Sequence, residues 1–334
     1  MKLLADASLP GLAACFPAPV ELTLYHDMDE LLHALPGQDA LLCRSTLKVN
    51  EALLSQASLS CVATASSGTD HVDADALNNR GIRLLDAKGS NASSVADYVL
   101  ASLAWLEKNT AFRGKKAMVI GYGMVGSLLA QRLQALDFAV IAYDPLKQGF
   151  DSCALDEIAD CDLICVHASL HDDFPHPSRH LLDARVLALL RPDAAVINAS
   201  RGDIVDEPAL LRLMPPIYYC TDVFAAEPNC SAGIIEFSTL CTPHIAGHSV
   251  EAKRDALRMV SEKLHAFYHL EAPIWPPGDE AAFVWDEAWQ DAILALYNPV
   301  DETVALKMAA DKREAFLRLR GMHDRHAFGM GFIP

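Results

Sequence analysis

The chain has 334 residues, 51% of them hydrophobic, and a formal net charge of −17. This length predicts more than one domain. The negative charge argues against nucleic-acid binding, which depends on neutralising phosphates, and favours a cytoplasmic protein. No apolar run is long enough to span a bilayer, so no membrane association is expected. The opening MKLLADASLP resembles a first strand more than a signal peptide.

The first ninety residues alternate short apolar strand patterns with amphipathic helical patterns. Such alternation is typical of a parallel sheet covered on both faces. The strand patterns are KLLAD, VELTLY, ALLCRS, CVATAS and IRLLDA, and the clearest helical patterns are MDELLHAL and NEALLSQA.

A long helix is predicted over residues 91–109. We expect Asn91 or Ser93 to cap its start and Asp97 to favour its first turn. The strand alternation then resumes with AMVI, AVIAYD, LICVHA, AAVINAS, YYCTDVF and STLCTPH.

A second long helix, near residues 249–270, leads out of this second series of strands. The two long helices mark the crossings between two α/β domains, the first of them discontinuous. The domains are expected to comprise residues 1–91 with 255–279, and 92–254. The last segment, 280–334, follows a proline-rich linker and is expected to be mainly helical.

Nine cysteines are scattered through apolar segments, and no CxxC motif occurs. An odd number without such spacing is typical of reduced, buried thiols rather than a disulfide framework.

The segment AMVIGYGMVGSLLAQRLQALDFAVIAYDP carries a dinucleotide-binding fingerprint. An apolar strand runs into Gly121, Gly123 and Gly126, and a helix follows at once. The glycines allow a tight turn, close approach of a pyrophosphate and close packing of helix on strand. Asp144 ends the next strand, where a carboxylate can accept hydrogen bonds from ribose hydroxyls and repel a 2′-phosphate. The segment predicts a Rossmann-type domain that binds NAD rather than NADP.

Three later strands of this domain are followed by residues that can bind an anion or exchange a proton: Arg201, Glu227 and His244. Ligands bind beyond the carboxyl ends of strands in open parallel sheets. A histidine can take the hydroxyl proton as a hydride leaves a secondary alcohol, and a carboxylate behind it can orient the ring. An arginine can hold a substrate carboxylate. The set predicts oxidation of a 2-hydroxy acid.

His244 and His248 raise the alternative of a metal site. Two histidines four apart share a face only on a helix, and the proline and glycine in TPHIAGH argue against a helix there. We therefore expect no metal. His244 is predicted to be the acid–base, and His248 to face the substrate.

Together, VIGYGMVG, INASRGDIVDEPAL, DVFAAEP and TPHIAG resemble, in order and spacing, the D-isomer 2-hydroxy acid dehydrogenases. The resemblance implies Arg201, Glu227 and His244 as catalytic residues and a flavodoxin-like substrate domain before the Rossmann domain. It implies cofactor contacts at Gly121, Gly123, Met124, Val125, Gly126, Asp144, Ala168, Ser200, Asp222 and Gly247.

RSTLKVNEALL and TASSGTDHVD are similar to motifs of one subfamily, whose members oxidise a phosphorylated four-carbon hydroxy acid and carry a C-terminal dimerisation segment. This implies substrate contacts at Ser45, Ser66 and His248. Arg44 and Lys48 lie beside Ser45 and are either phosphate ligands or solvated surface residues. We also expect SSG, residues 66–68, to open a helix whose free amides could hold an anion.

The chain also departs from this subfamily. His248 stands where a tyrosine is usual, and Ala168 and Ser66 each replace a threonine. The C-terminal part is shorter than expected. These departures leave open another family member, of the phosphoglycerate or hydroxypyruvate type. A non-catalytic protein that senses NAD also remains open. The amphipathic DAILALY and REAFLRLR favour docking on a twofold partner, so a homodimer is expected.

Overall fold

The computed structural model describes residues 1–214, 216–275, 289–323 and 325–326. These residues form two compact units. One unit contains residues 1–91 and 249–275, and the other contains residues 92–248 and the described residues after 288.

The first unit is built on a five-stranded parallel sheet with the order β2-β1-β3-β4-β5. This is the strand order of flavodoxin-like folds, and it confirms the predicted fold class. The strands are β1 (Lys2–Asp6), β2 (Glu21–Tyr25), β3 (Ala40–Cys43), β4 (Cys61–Thr64) and β5 (Arg83–Leu85). The helices are α1 (Leu12–Cys15), α2 (Met28–Ala34), α3 (Glu51–Leu54) and α4 (Ala74–Asn79).

The central strands β3 and β4 are buried along their whole length because helices cover both faces of the sheet. Short helices begin at side-chain caps: the Asp27 carboxylate accepts from the Glu30 amide, and Asp73 accepts from the Ala76 amide. The prediction that SSG opens a helix is wrong. Residues 65–67 form bends and 68–69 are irregular, and α4 starts only after its cap at Asp73.

The chain returns to the first unit through helix α10 (Val250–Phe267), which the Ser249 hydroxyl caps by accepting from the Ala252 amide. The helix is amphipathic, and its buried face packs with the strands of the first sheet. Deep in this packing, Ser261 donates to the carbonyl oxygen of Cys15 at 2.6 Å.

The second unit contains a six-stranded parallel sheet with the order β11-β10-β9-β8-β6-β7. The chain moves outward from β6 to β7 and then crosses back to β8, so the topological switch point lies between β6 and β8. The strands are β6 (Lys116–Ile120), β7 (Ala139–Tyr143), β8 (Leu163–Val166), β9 (Ala195–Asn198), β10 (Tyr218–Thr221) and β11 (Leu240–Cys241). The helices among them are α6 (Met124–Ala135), α7 (Ala184–Leu187), α8 (Glu207–Leu210) and α9 (Ala232–Phe237).

Helix α5 (Ala92–Asn109) precedes this sheet and is largely buried. The expectation that Asp97 lies in the first turn is wrong, because the helix starts at Ala92 and places Asp97 in its second turn. There the Asp97 carboxylate is fully buried and lies 2.5 Å from Nη1 of Arg132 on α6. An unpaired charge would be costly at this position, so removal of either partner alone should destabilise the helix–helix interface.

Three C-terminal helices pack on the second unit: α11 (Trp289–Leu296), α12 (Val300–Met308) and α13 (Lys312–Met322). Ile293 and Tyr297 join the core beneath α5, and Phe316 joins the core beneath β10. Ile293 of DAILALY and Phe316 of REAFLRLR thus pack within their own chain, while Leu296 and Leu317 are exposed, and docking on a partner stays a prediction. The predicted segment 280–334 extends beyond the described residues at 280–288, 324 and 327–334.

Each of the nine cysteines lies in the described part of the chain and has a free thiol, as the sequence predicted. Within the described residues, no helix is both long enough and apolar enough to cross a membrane.

Candidate active site

Two of the three fingerprint glycines, Gly121 and Gly126, occupy positions that only glycine fits. Gly121 follows β6 with φ +87°, and a Cβ there would lie 2.4 Å from the Ala168 amide nitrogen. A Cβ on Gly126 would lie 2.0 Å from the Gly121 carbonyl oxygen, so helix and strand pack in contact. At Gly123, the N-cap of α6, a Cβ would meet nothing within 4 Å. The open space lies where a pyrophosphate would approach the helix N-terminus.

The residues around this turn fit a dinucleotide. Asp144, at the end of β7, accepts from the Tyr122 amide at 2.8 Å, which fixes the carboxylate beside the glycine loop. Met124 is exposed at the start of α6, and Val125 packs against the core. A pocket lies between the segments that follow β6, β7 and β8, and its lining includes Gly121, Asp144, Leu146, Ala168, His171 and Leu181. The fingerprint would hold the pyrophosphate, and Asp144 the adenosine ribose.

His167, which the sequence analysis did not single out, lies directly before Ala168 at the switch point. Both of its ring nitrogens are buried and have no hydrogen-bond partner among the described residues. Burial lowers the pKa of its imidazole to about 3, so the ring is neutral. The motif LICVHA indicated only the end of a strand. The burial of His167 could not be predicted from it, because that burial depends on the neighbouring loops.

The catalytic candidates Glu227 and His244 form a direct pair. Nδ1 of His244 lies 2.7 Å from Oε2 of Glu227. The other carboxylate oxygen, Oε1, accepts from the Phe224 amide at 2.9 Å. Nδ1 therefore carries the proton toward Glu227, and Nε2 is the nitrogen left to exchange a proton with a substrate.

The charge state of Glu227 is set by opposing effects. Burial acts to raise the pKa of the Glu227 carboxyl, but the hydrogen bond from His244, the charge of that ring, the Phe224 amide and Arg320 outweigh it. The net pKa lies below the ordinary glutamate value. Glu227 is consequently a carboxylate wherever His244 exchanges protons.

Asp222 builds the loop that carries His244. Its buried carboxylate accepts from the Thr242 hydroxyl at 2.7 Å, the Ile245 amide at 2.7 Å and the Ala246 amide at 2.8 Å. Its own carbonyl oxygen accepts from the His244 amide at 2.7 Å. Burial raises the pKa of the Asp222 carboxyl. In the structure this side chain holds the loop that carries His244, and the cofactor contact at Asp222 stays a prediction.

His244 occupies a turn and not a helix, with φ at +57°. Non-glycine residues seldom adopt this conformation, and such residues cluster at active sites. His248 lies in the same loop, where its amide donates to the Ile245 carbonyl and its carbonyl accepts from Nε of Arg325. No group of three or more His, Cys, Asp or Glu in the described ranges could hold a metal ion.

Arg201 follows β9, the neighbour of β10 in the sheet. Its Nη1 donates to the Ser200 carbonyl at 2.8 Å, and its own carbonyl accepts from Nδ2 of Asn198 at 3.0 Å. The next residue, Gly202, touches the loop after β10, since a Cβ there would lie 2.0 Å from the Phe224 carbonyl carbon. Ser200, directly before Arg201, is buried, and Gly247, three residues after His244, is half-buried.

Glu207 links the same two loops and was missed from the sequence. Its carboxylate accepts from the Ala225 amide at 3.0 Å. Burial raises the pKa of Glu207, and the nearby charges of Asp203 and Glu227 add to the effect. The motif INASRGDIVDEPAL showed this glutamate only as part of a helix start, because its partner lies on a different loop.

The predicted substrate residues of the first unit lie at the carboxyl ends of β3 and β4. Arg44 follows β3, and its Nε donates to the Asp6 carboxylate at 3.0 Å, across the switch point of that sheet. Ser45 and Lys48 are exposed, and Ser66 is half-buried. These strand ends are where open α/β sheets bind ligands.

Comparison with known proteins agrees with this geometry. Residues 96–246 match the profile of the D-isomer specific 2-hydroxyacid dehydrogenase, NAD binding domain. A 3-phosphoglycerate dehydrogenase from Entamoeba histolytica, solved with NAD⁺, has the same fold, with a TM-score of 0.70 and 20% identity over 80% of this chain and 95% of that one. The fold and the site define an NAD-dependent dehydrogenase of 2-hydroxy acids.

Two sequence relatives narrow the class. Erythronate-4-phosphate dehydrogenase of Legionella pneumophila is 48% identical over 98% of this chain and 95% of its own length. The protein of the same name from Coxiella burnetii is 36% identical over 81% of this chain and 75% of its own. The chain belongs to the erythronate-4-phosphate dehydrogenase family, within the D-isomer specific 2-hydroxyacid dehydrogenases.

Proposed function

We propose that this protein oxidises 4-phospho-D-erythronate at its 2-hydroxyl to (R)-3-hydroxy-2-oxo-4-phosphobutanoate, as a step in pyridoxal 5′-phosphate biosynthesis. The observation that carries the proposal is the 48% identity to an erythronate-4-phosphate dehydrogenase over almost the whole chain. The Glu227–His244 pair supplies the chemistry.

In the proposed reaction the substrate hydroxyl gives its proton to Nε2 of His244 as the C2 hydrogen leaves with its electron pair. Bound NAD supplies the acceptor for that hydride. Glu227 holds the ring through Nδ1 and stabilises the imidazolium that forms. Arg201 binds the substrate carboxylate beside C2 through its guanidinium.

The phosphate would be held by residues of the motifs shared with the subfamily. Ser45 and Ser66 offer hydroxyl donors, and Arg44 and Lys48 offer charge at the same strand ends of the first unit. His248 takes the place of a tyrosine, and an imidazole can also donate to a phosphate oxygen. We assign residues 1–91 and 255–279 to the substrate-binding domain and residues 92–254 to the NAD-binding domain. Residues 280–334 would form the dimerisation segment of a homodimer. The protein would be located in the cytoplasm.

The test is NAD-linked oxidation of 4-phosphoerythronate, 3-phosphoglycerate, glycerate and lactate by the purified protein. A 2-oxo acid acceptor is included so that any retained NADH is recycled. We expect kcat/KM to be highest for the four-carbon phosphate. Preference for 3-phosphoglycerate or glycerate would replace the proposal with a phosphoglycerate or hydroxypyruvate type. Absence of turnover with NAD still bound would favour an NAD sensor.

The His248→Ala variant tests the phosphate contact. Loss of a hydrogen bond to a charged group should raise KM for the phosphorylated substrate roughly 10- to 100-fold. It should leave an unphosphorylated hydroxy acid almost unaffected, and His248→Tyr should restore the wild-type KM. His33→Ala, an exposed change on α2, is the matched control. Equal losses on phosphorylated and unphosphorylated substrates would contradict the contact.

A further inference from the structure

Helix α13 lies against the loop that carries Glu227. Phe316 of this helix packs edge-on against Phe224, with ring centroids 6.2 Å apart. One turn further on, Nη1 of Arg320 lies 3.6 Å from Oε2 of Glu227. That oxygen is the one that contacts Nδ1 of His244. The C-terminal segment thus places a cation behind the catalytic pair.

A second contact joins the C-terminal segment to the loop after β11. The buried Arg325 donates from Nε to the His248 carbonyl at 3.1 Å and from Nη2 to the Ala246 carbonyl at 2.5 Å. Arg320 and Arg325 therefore touch the two loops that hold the two members of the pair.

We infer that Arg320 is a positioning residue of the hydride-transfer reaction, holding Glu227 toward His244 and supplying a positive charge beside that pair. This inference rests on the dehydrogenase chemistry of the site and not on which hydroxy acid is the substrate. Among the described residues of the second unit, the charged and titratable groups that face the pair are Arg320 from α13, Glu207 from α8, Asp222 after β10, and Cys230 beyond Glu227 in the same loop.

The sign of the effect follows from the charges. A guanidinium disfavours a second positive charge on the neighbouring imidazole. It also offsets part of the stabilisation that the Glu227 carboxylate gives to that charge. Its removal favours the protonated ring, which cannot accept the hydroxyl proton. Arg320 and Glu227 are 28% and 20% exposed, so solvent weakens the interaction without abolishing it.

The experiment compares kcat/KM against pH for Arg320→Met, Arg320→Lys and the wild type with the best substrate. Arg320→Met should move the acidic limb of the profile upward by about 0.5 to 1 pH unit, with little change on the alkaline plateau. Arg320→Lys, which keeps the charge, should recover at least half of the shift. Arg318→Met, an exposed change two residues away, should leave the profile in place.

NAD affinity and the thermal midpoint of each variant separate this role from a structural one. An unshifted limb in Arg320→Met, or a uniform loss at every pH with a lowered midpoint, would overturn the inference. A raised KM confined to phosphorylated substrates would overturn it too, making Arg320 a substrate ligand. If Arg320→Met does not fold, Arg320→Gln removes the charge and keeps a polar side chain. The same shift is expected of it.

Discussion

The backbone at His244 shows how single residues maintain the site. Its left-handed conformation costs on the order of 1–3 kcal/mol. The three hydrogen bonds that Asp222 accepts from Thr242, Ile245 and Ala246 offset this, at about 1.5–3 kcal/mol each if the carboxyl is charged. Burial raises the pKa of the Asp222 carboxyl, and these donors act in the opposite direction. One buried side chain thus fixes the loop that carries His244, the proposed acid–base.

Asp144 is predicted to set cofactor choice. In Asp144→Ser the carboxylate that would accept from the ribose hydroxyls and repel a 2′-phosphate is lost. The ratio of kcat/KM for NADP over NAD should therefore rise roughly 10- to 100-fold. Initial rates with each cofactor measure the ratio, and Asp151→Ser, an exposed change in the following loop, is the control. An unchanged ratio would contradict the assignment.

At the scale of elements, the loops that follow β9 and β10 are held together by direct contacts. Gly202 touches Phe224, Glu207 accepts from Ala225, and Glu227 accepts from Phe224. Beneath them, α5 and α6 are joined by the buried Asp97–Arg132 pair. The segments that follow β9, β10 and β11 pack closely because these neighbouring parallel strands end at the same edge of the sheet.

The Asp97→Ala variant should lose about 3–5 kcal/mol of unfolding free energy, because it leaves the Arg132 guanidinium buried without its carboxylate. Urea denaturation measures the loss. The double variant Asp97→Ala/Arg132→Met should be less destabilised than the single one, since no charge is left buried. A single variant within about 1 kcal/mol of wild type would show that the pair is not needed.

Across the whole molecule, local patterns predicted what depends on local sequence. The strands, the NAD fingerprint and the Glu227–His244 pair follow from apolar runs and from the rule that ligands meet strand ends. Arg320 and Arg325 could not be predicted, because an amphipathic helix does not identify its partner and 93 residues separate Arg320 from Glu227. Asp97 was wrongly predicted to lie in the first turn of its helix. An aspartate shortly after Asn91 fits both a helix start and a buried ion pair, and the sequence does not distinguish the two.

The most direct test of the dehydrogenase mechanism is steady-state oxidation of the preferred hydroxy acid by the His244→Asn variant, with NAD affinity measured on the same preparation. Loss of the acid–base should lower kcat by about 10² to 10⁴-fold while NAD affinity stays close to wild type. His33→Asn should keep full activity. Turnover within tenfold of wild type in His244→Asn, with NAD still bound, would contradict the role assigned to His244.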